Sequence, residues 1–244
     1  MNARRRELPF RPLGALAGVI LVFAALLVWL AHEPSLEGRS IRSWVADLTR
    51  DRDGSHERAV QFFTRNGRKT VPGLMGVIES KTPKSAHWVR GLSHFDRLPS
   101  GLQEWVIERA EIQPMHRIWA VEMCSLLGPE AREAQRTLLA VRADPEAGVR
   151  ASVAKALAKV RVDPALAIPV LVEMLGDPSP YVRAKAAVAL GMYGEAARSA
   201  VPNLRKAVED ADSGAALSAR IGLALIETPE RVELLGDDRY RLRP

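Results

Sequence analysis

Asp144-Pro145-Glu146-Ala147-Gly148-Val149-Arg150 recurs 33 residues later as Asp177-Pro178-Ser179-Pro180-Tyr181-Val182-Arg183. Outward from this pair, the same shift aligns Arg117 with Arg150 and Arg183, and Leu138 with Leu171 and Leu204. It also aligns Asp144 with Asp177 and Asp210, and Pro169 with Pro202. Four series in one register are hard to obtain by chance from an Ala/Leu-rich chain. A period of this length belongs to stacked supersecondary units, each too small to bury its apolar face alone. It points to a surface that binds more than to a pocket that transforms.

Each unit reads as two helices. The first covers 149–160, where Val149, Val153, Ala156, Leu157 and Val160 recur at helical spacing. The Asp-Pro turn before it supplies a cap and an early-position proline. The second covers 199–209, with Val201, Leu204 and Val208 on one face. Pro169 and Pro202 are tolerable only near the starts of such helices, since an interior proline breaks the hydrogen-bond ladder.

The two Asp-Pro-x-x-x-Val-Arg segments, the Ala-rich helices ending near Leu157 and Leu190, and the tails 167–175 and 200–208 resemble the HEAT-repeat family. They are similar in particular to the short HEAT-like repeats related to phycobilisome lyases. The resemblance covers about 114–227 and implies an all-α fold, an α-solenoid of layered antiparallel helix pairs. It also implies a ladder between neighbouring repeats, made by the Asp and the Arg six residues later. Asp144/Arg150 and Asp177/Arg183 match this pattern, and Glu111/Arg117 matches it with a carboxylate substitution. Asp210 has Ala216 in the Arg position, so the ladder is expected to end there, as at a capping repeat. The fold is nearly silent on function.

Of the 244 residues, 47% are hydrophobic but only 5% aromatic, which suits closely packed helices with small contact residues. The formal charge is +6, and Arg4, Arg5, Arg6 and Arg11 against Glu7 supply half of it. The remainder is modest and interspersed with Asp and Glu, so nucleic-acid binding is not expected. Cys124 is the single cysteine, which excludes an intramolecular disulfide and a multi-cysteine metal site. Its apolar surroundings, 121–127, read as a buried thiol.

Segment 13–31 contains no charged residue and as a helix spans about 28 Å, near the thickness of a bilayer core. Arginines precede it, and His32, Glu33 and Glu37 follow. The positive-inside rule then puts residues 1–12 in the cytoplasm as a basic tail and the repeats outside, on a single-pass inner-membrane anchor. A cleaved signal peptide is the competing reading. The length of the segment and the absence of a small-x-small site at Trp29-Leu30-Ala31 favour the anchor.

Residues 32–39 read as a linker, 40–113 as an irregular helical layer with an insertion, 114–235 as the repeats and 236–244 as a tail. In the front layer, 40–49 and 55–66 read as helices, the second closed by Gly67, and Val71-Pro72-Gly73-Leu74 opens a third. The stretch 37–44 is similar to the entry of membrane-anchored bacterial HEAT-repeat proteins. Segment 81–113 fits no repeat; Trp88 and Phe95 there are candidate partner contacts, with core packing as the plainer alternative.

No phosphate loop, nucleophile elbow, zinc motif or calcium loop occurs. His32-Glu33 and His56-Glu57 are spaced off the repeat period and carry no expectation of a metal. The expectation is a non-enzymatic scaffold with no cofactor and an unknown protein partner. Its second helices are expected to line a concave groove bearing Glu173, Asn203, Lys206 and Glu209. The alternatives are a HEAT-like lyase or enzyme-maturation factor and, behind it, a nucleic-acid-binding HEAT-like protein.

Overall fold

The computed structural model describes residues 35–49, 54–80, 114–236 and 240–243. Segment 13–31, Glu111, and the insertion with Trp88 and Phe95 lie outside them. Among the described residues no helix is long and apolar enough to cross a membrane.

The front layer holds a short antiparallel pair, β1 (Ser35–Leu36) and β2 (Arg39–Ser40), then α1 (Ile41–Leu48), α2 (Ser55–Asn66) and α3 (Val71–Glu79). The pair occupies part of the stretch expected as a linker. Ser40 caps α1 by accepting from the Ser43 N–H, which fixes the start of the helix at Ile41. Trp44 stacks on Phe62 at 4.1 Å between ring centroids, and the Arg39 guanidinium covers Trp44 at 4.1 Å. This sandwich binds α1 to α2. His56 Nδ1 donates to the Leu48 carbonyl, which can only accept, and its ring meets the edge of Trp119 at 5.0 Å. His56 therefore joins the front layer to the repeats.

The repeats follow as α4 (Pro114–Leu127), α5 (Gln135–Ala140), α6 (Ala147–Lys159), α7 (Pro164–Met174), α8 (Pro180–Met192), α9 (Val201–Ala207) and α10 (Ser213–Glu227). The first helices α4, α6, α8 and α10 pack side by side in one layer. The second helices α5, α7 and α9 back them and meet one another only sparsely. The core runs between the layers. Leu138, Leu171 and Leu204 fill it from the second helices, and Leu157 and Leu190 from the first, all fully buried. Cys124 stands in the register of Leu157 and Leu190 and is equally buried.

The second helices depart from a uniform 199–209 pattern. Residues Gly128–Ala134 and Gly194–Ala200 form 3-10 turns, so α5 and α9 are short. In the middle repeat the same slot is α-helical. Asp163 accepts from the Ala165 N–H and Pro164 takes the first helical position, which starts α7 early. Pro169 consequently lies inside α7, not near its start as its spacing implies.

The chain turns into each slot through a left-handed residue: Gly128 (φ 58°), Arg161 (φ 57°) and Gly194 (φ 56°), 33 residues apart. Gly67 also has a positive φ (49°) where the chain passes from α2 toward α3. Beyond α10, β3 (Val232–Leu234) and β4 (Tyr240–Leu242) pair antiparallel and pack on that helix. The boundary placed between 235 and 236 therefore cuts a hairpin, because Tyr240–Leu242 returns to pair with Val232–Leu234. The solenoid is helical with a two-stranded ornament at each described end.

Candidate binding face

Three arginines join consecutive repeats. Arg117 donates to Asp144 at 2.9 Å. Arg150 holds both oxygens of Asp177 at 2.7 and 2.8 Å, and Arg183 both oxygens of Asp210 at 2.6 and 2.7 Å. Each rung is thus an Arg paired with the Asp 27 residues on, in the next repeat. The Asp six residues before the Arg contributes its backbone instead. Arg150 donates to the Asp144 and Pro145 carbonyls, and Arg183 to those of Asp177 and Pro178. One arginine therefore closes its own Asp-Pro turn and clasps the next.

The carboxylates are also turn formers, accepting from the N–H two residues on at Glu146, Ser179 and Asp212. The Arg150 hydrogen bonds hold the Asp177 carboxyl below the usual range, and Arg183 does the same for Asp210. These groups are committed internally and have little capacity left for a partner.

The candidate groove residues stand elsewhere. Glu173 on α7, Asn203 and Lys206 on α9, and Glu209 beyond it are exposed. They lie on the second-helix side, where α5 and α9 are short. A cavity of about 470 Å³ opens between α8 and α10 and reaches α6. Tyr181, Val188, Met192, Ile221 and, from the hairpin, Tyr240 line it, with Lys155, Lys185, Ser218 and Asp212. Exposed apolar residues extend the same helix layer: Met115 and Leu126 on α4, Leu217 on α10. Tyr181, 56% exposed, is the largest aromatic surface on it.

Polar contacts order this face. Glu122 accepts from Ser152 Oγ at 2.8 Å and from Lys155 Nζ at 3.0 Å, linking α4 to α6. The Lys185 ammonium sits 5.3 Å from the centroid of the Tyr181 ring.

The repeat register marks the fasteners; the lining of the cavity falls at other positions. Its signal was in the mismatches. The outward position 115/148/181/214 reads Met, Gly, Tyr, Gly, and 122/155/188/221 reads Glu, Lys, Val, Ile.

Burial pushes the Cys124 thiol up to about 12, so it stays protonated near neutrality. No group of three or more His, Cys, Asp or Glu converges on a possible metal position among the described residues.

Paired helices in two layers, repeated at a fixed period and clasped rung by rung, define an α-solenoid. A family model described as HEAT repeats matches 104–191 and 168–239, together more than half of the chain. The chain belongs to the HEAT-repeat family. No curated protein matches it.

Proposed function

We propose that this protein is a non-enzymatic interaction scaffold whose partner seats on the first-helix face. The observation that carries the reading is the largely apolar cavity lined by α6, α8 and α10, with Tyr181 exposed at it and Leu217 exposed on α10. A stacked solenoid offers such a face as an extended docking site, and solvent-exposed apolar patches mark interaction sites. The anchor belongs to the same proposal: segment 13–31 holds the chain at the inner membrane and the repeats stand outside the cytoplasm. The resemblance to phycobilisome-lyase-type repeats concerns the form of the repeat and is not a ground for proposing lyase activity.

A photo-crosslinking residue placed at Met192 is expected to yield a discrete adduct in intact cells. The same residue at Asn203, on the second-helix side, is expected to yield none. Adducts from Asn203 alone would move the site to the other face. Carbonate extraction and protease accessibility of the full chain test the anchor; a carbonate-soluble product would remove it.

A further inference from the structure

We infer that the cavity between α8 and α10 receives a peptide segment presenting a carboxylate beside an apolar side chain, with Lys185 reading the acid. This rests on the first-helix face being the docking surface. The walls formed by Val188, Met192 and Ile221 are apolar, and about 470 Å³ accommodates one or two side chains rather than a folded surface.

The charges on this face are not equally available. Glu122 is held by Ser152 and Lys155, and Asp212 by the Ala215 N–H at 2.9 Å. Lys185 makes no ion pair among the described residues. Its contact is the Tyr181 ring, which attracts the cation but leaves ammonium protons without an acceptor. Lys185 is thus a half-buried cation beside the apolar wall, where an anion gains more than on open surface, while the exposed Asp212 carboxylate keeps its charge at the start of α10.

Two fluorescein-labelled dodecapeptides with identical leucine and phenylalanine positions, one carrying glutamates and the other lysines between them, test this on the full chain by anisotropy. The glutamate peptide is expected to bind roughly tenfold tighter at low salt, the preference shrinking as salt rises. Lys185→Glu is expected to erase or invert that preference, and Val188→Asp to weaken both peptides. Melting temperatures of the variants establish that each is folded. Equal binding of the two peptides, or a preference unchanged in Lys185→Glu, overturns the inference while leaving the docking face intact. Absence of binding by either peptide, or binding indifferent to Val188→Asp, overturns the docking face as well.

Discussion

Arg150 satisfies two repeats at once: its Nε and one terminal nitrogen fork onto Asp177, and the other terminal nitrogen closes the turn at Asp144 and Pro145. A planar guanidinium does this and a lysine ammonium does not. Arg150→Ala leaves a nearly buried Asp177 without its partner and two turn carbonyls without a donor. It is expected to destabilise the protein by about 2 kcal/mol, with Arg150→Lys recovering little of the loss. Urea unfolding checks both; an unchanged midpoint for Arg150→Ala would reduce the rung to ornament. The same geometry fixes a pH dependence. The Asp177 and Asp210 carboxyls are held below their ordinary values in the folded state. Near pH 4 the unfolded chain therefore binds more protons than the folded one. The contribution of the rungs is complete above that range and is lost as pH falls through the folded values. The melting temperature is expected to drop below about pH 4, and less steeply in the Asp177→Asn, Asp210→Asn double variant. Parallel profiles for the two proteins would sink this account.

At the scale of elements, the left-handed turn into each second helix is where the repeats differ in a measurable way. Gly128 and Gly194 adopt it without strain, whereas Arg161 carries a Cβ at φ 57°. Tyr193 from the next repeat holds that turn: its hydroxyl donates to the Leu157 carbonyl at 2.7 Å and lies 2.9 Å from that of Val162. Arg161→Gly is expected to raise stability by about 0.5 kcal/mol, the strain relieved exceeding the extra chain entropy of glycine. Calorimetry checks the sign, and a lower melting temperature would show that the turn is not strained. The α8–α10 contact is tighter still. A Cβ on Gly222 would lie 2.2 Å from the Ala187 carbonyl oxygen, a backbone atom that cannot swing away. Gly222→Ala is expected to cost about 2–3 kcal/mol by forcing the helices apart, again read by urea unfolding. Local signals made much of this layer readable: α2 ends at Gly67 where that glycine marks it, and α6 follows the apolar spacing of Val149, Val153 and Leu157. The start of α7 was obscured because Asp163 and Pro164 outbid the position implied by Pro169. The cavity was obscured because helical spacing identifies which residues of one helix are buried. It does not say where two packed helices leave a cavity; that depends on helix lengths and close approaches such as Gly191 against Gly222.

For the whole molecule, stability in a stack is a sum of repeat and neighbour terms, so it varies along the chain. α6 and α8 are each covered by a first helix on both sides, α10 by the first helix α8 and by the two-stranded hairpin. Backbone amides of α6 and α8 are therefore expected to exchange most slowly, with α1 and the β3–β4 hairpin fastest. The Arg183–Asp210 rung is the last of the described series and ties α8 to the turn that leads into α10. Breaking it with Arg183→Ala is expected to speed exchange in α10 and the hairpin by roughly thirtyfold, the equivalent of about 2 kcal/mol, while α4 is little changed. The direction of that gradient is the test. If the molecule were one cooperative core, the same substitution would accelerate α4, α6 and α10 alike. If the first-helix layer were held by packing alone, Arg183→Ala would leave α10 at its original rate. Exchange mass spectrometry on the full chain and the variant separates the three outcomes. It also bears on docking, because Tyr240 and Ile221 reach the cavity from the end that Arg183→Ala loosens. A partner seated there should slow exchange in α10 more than in α4.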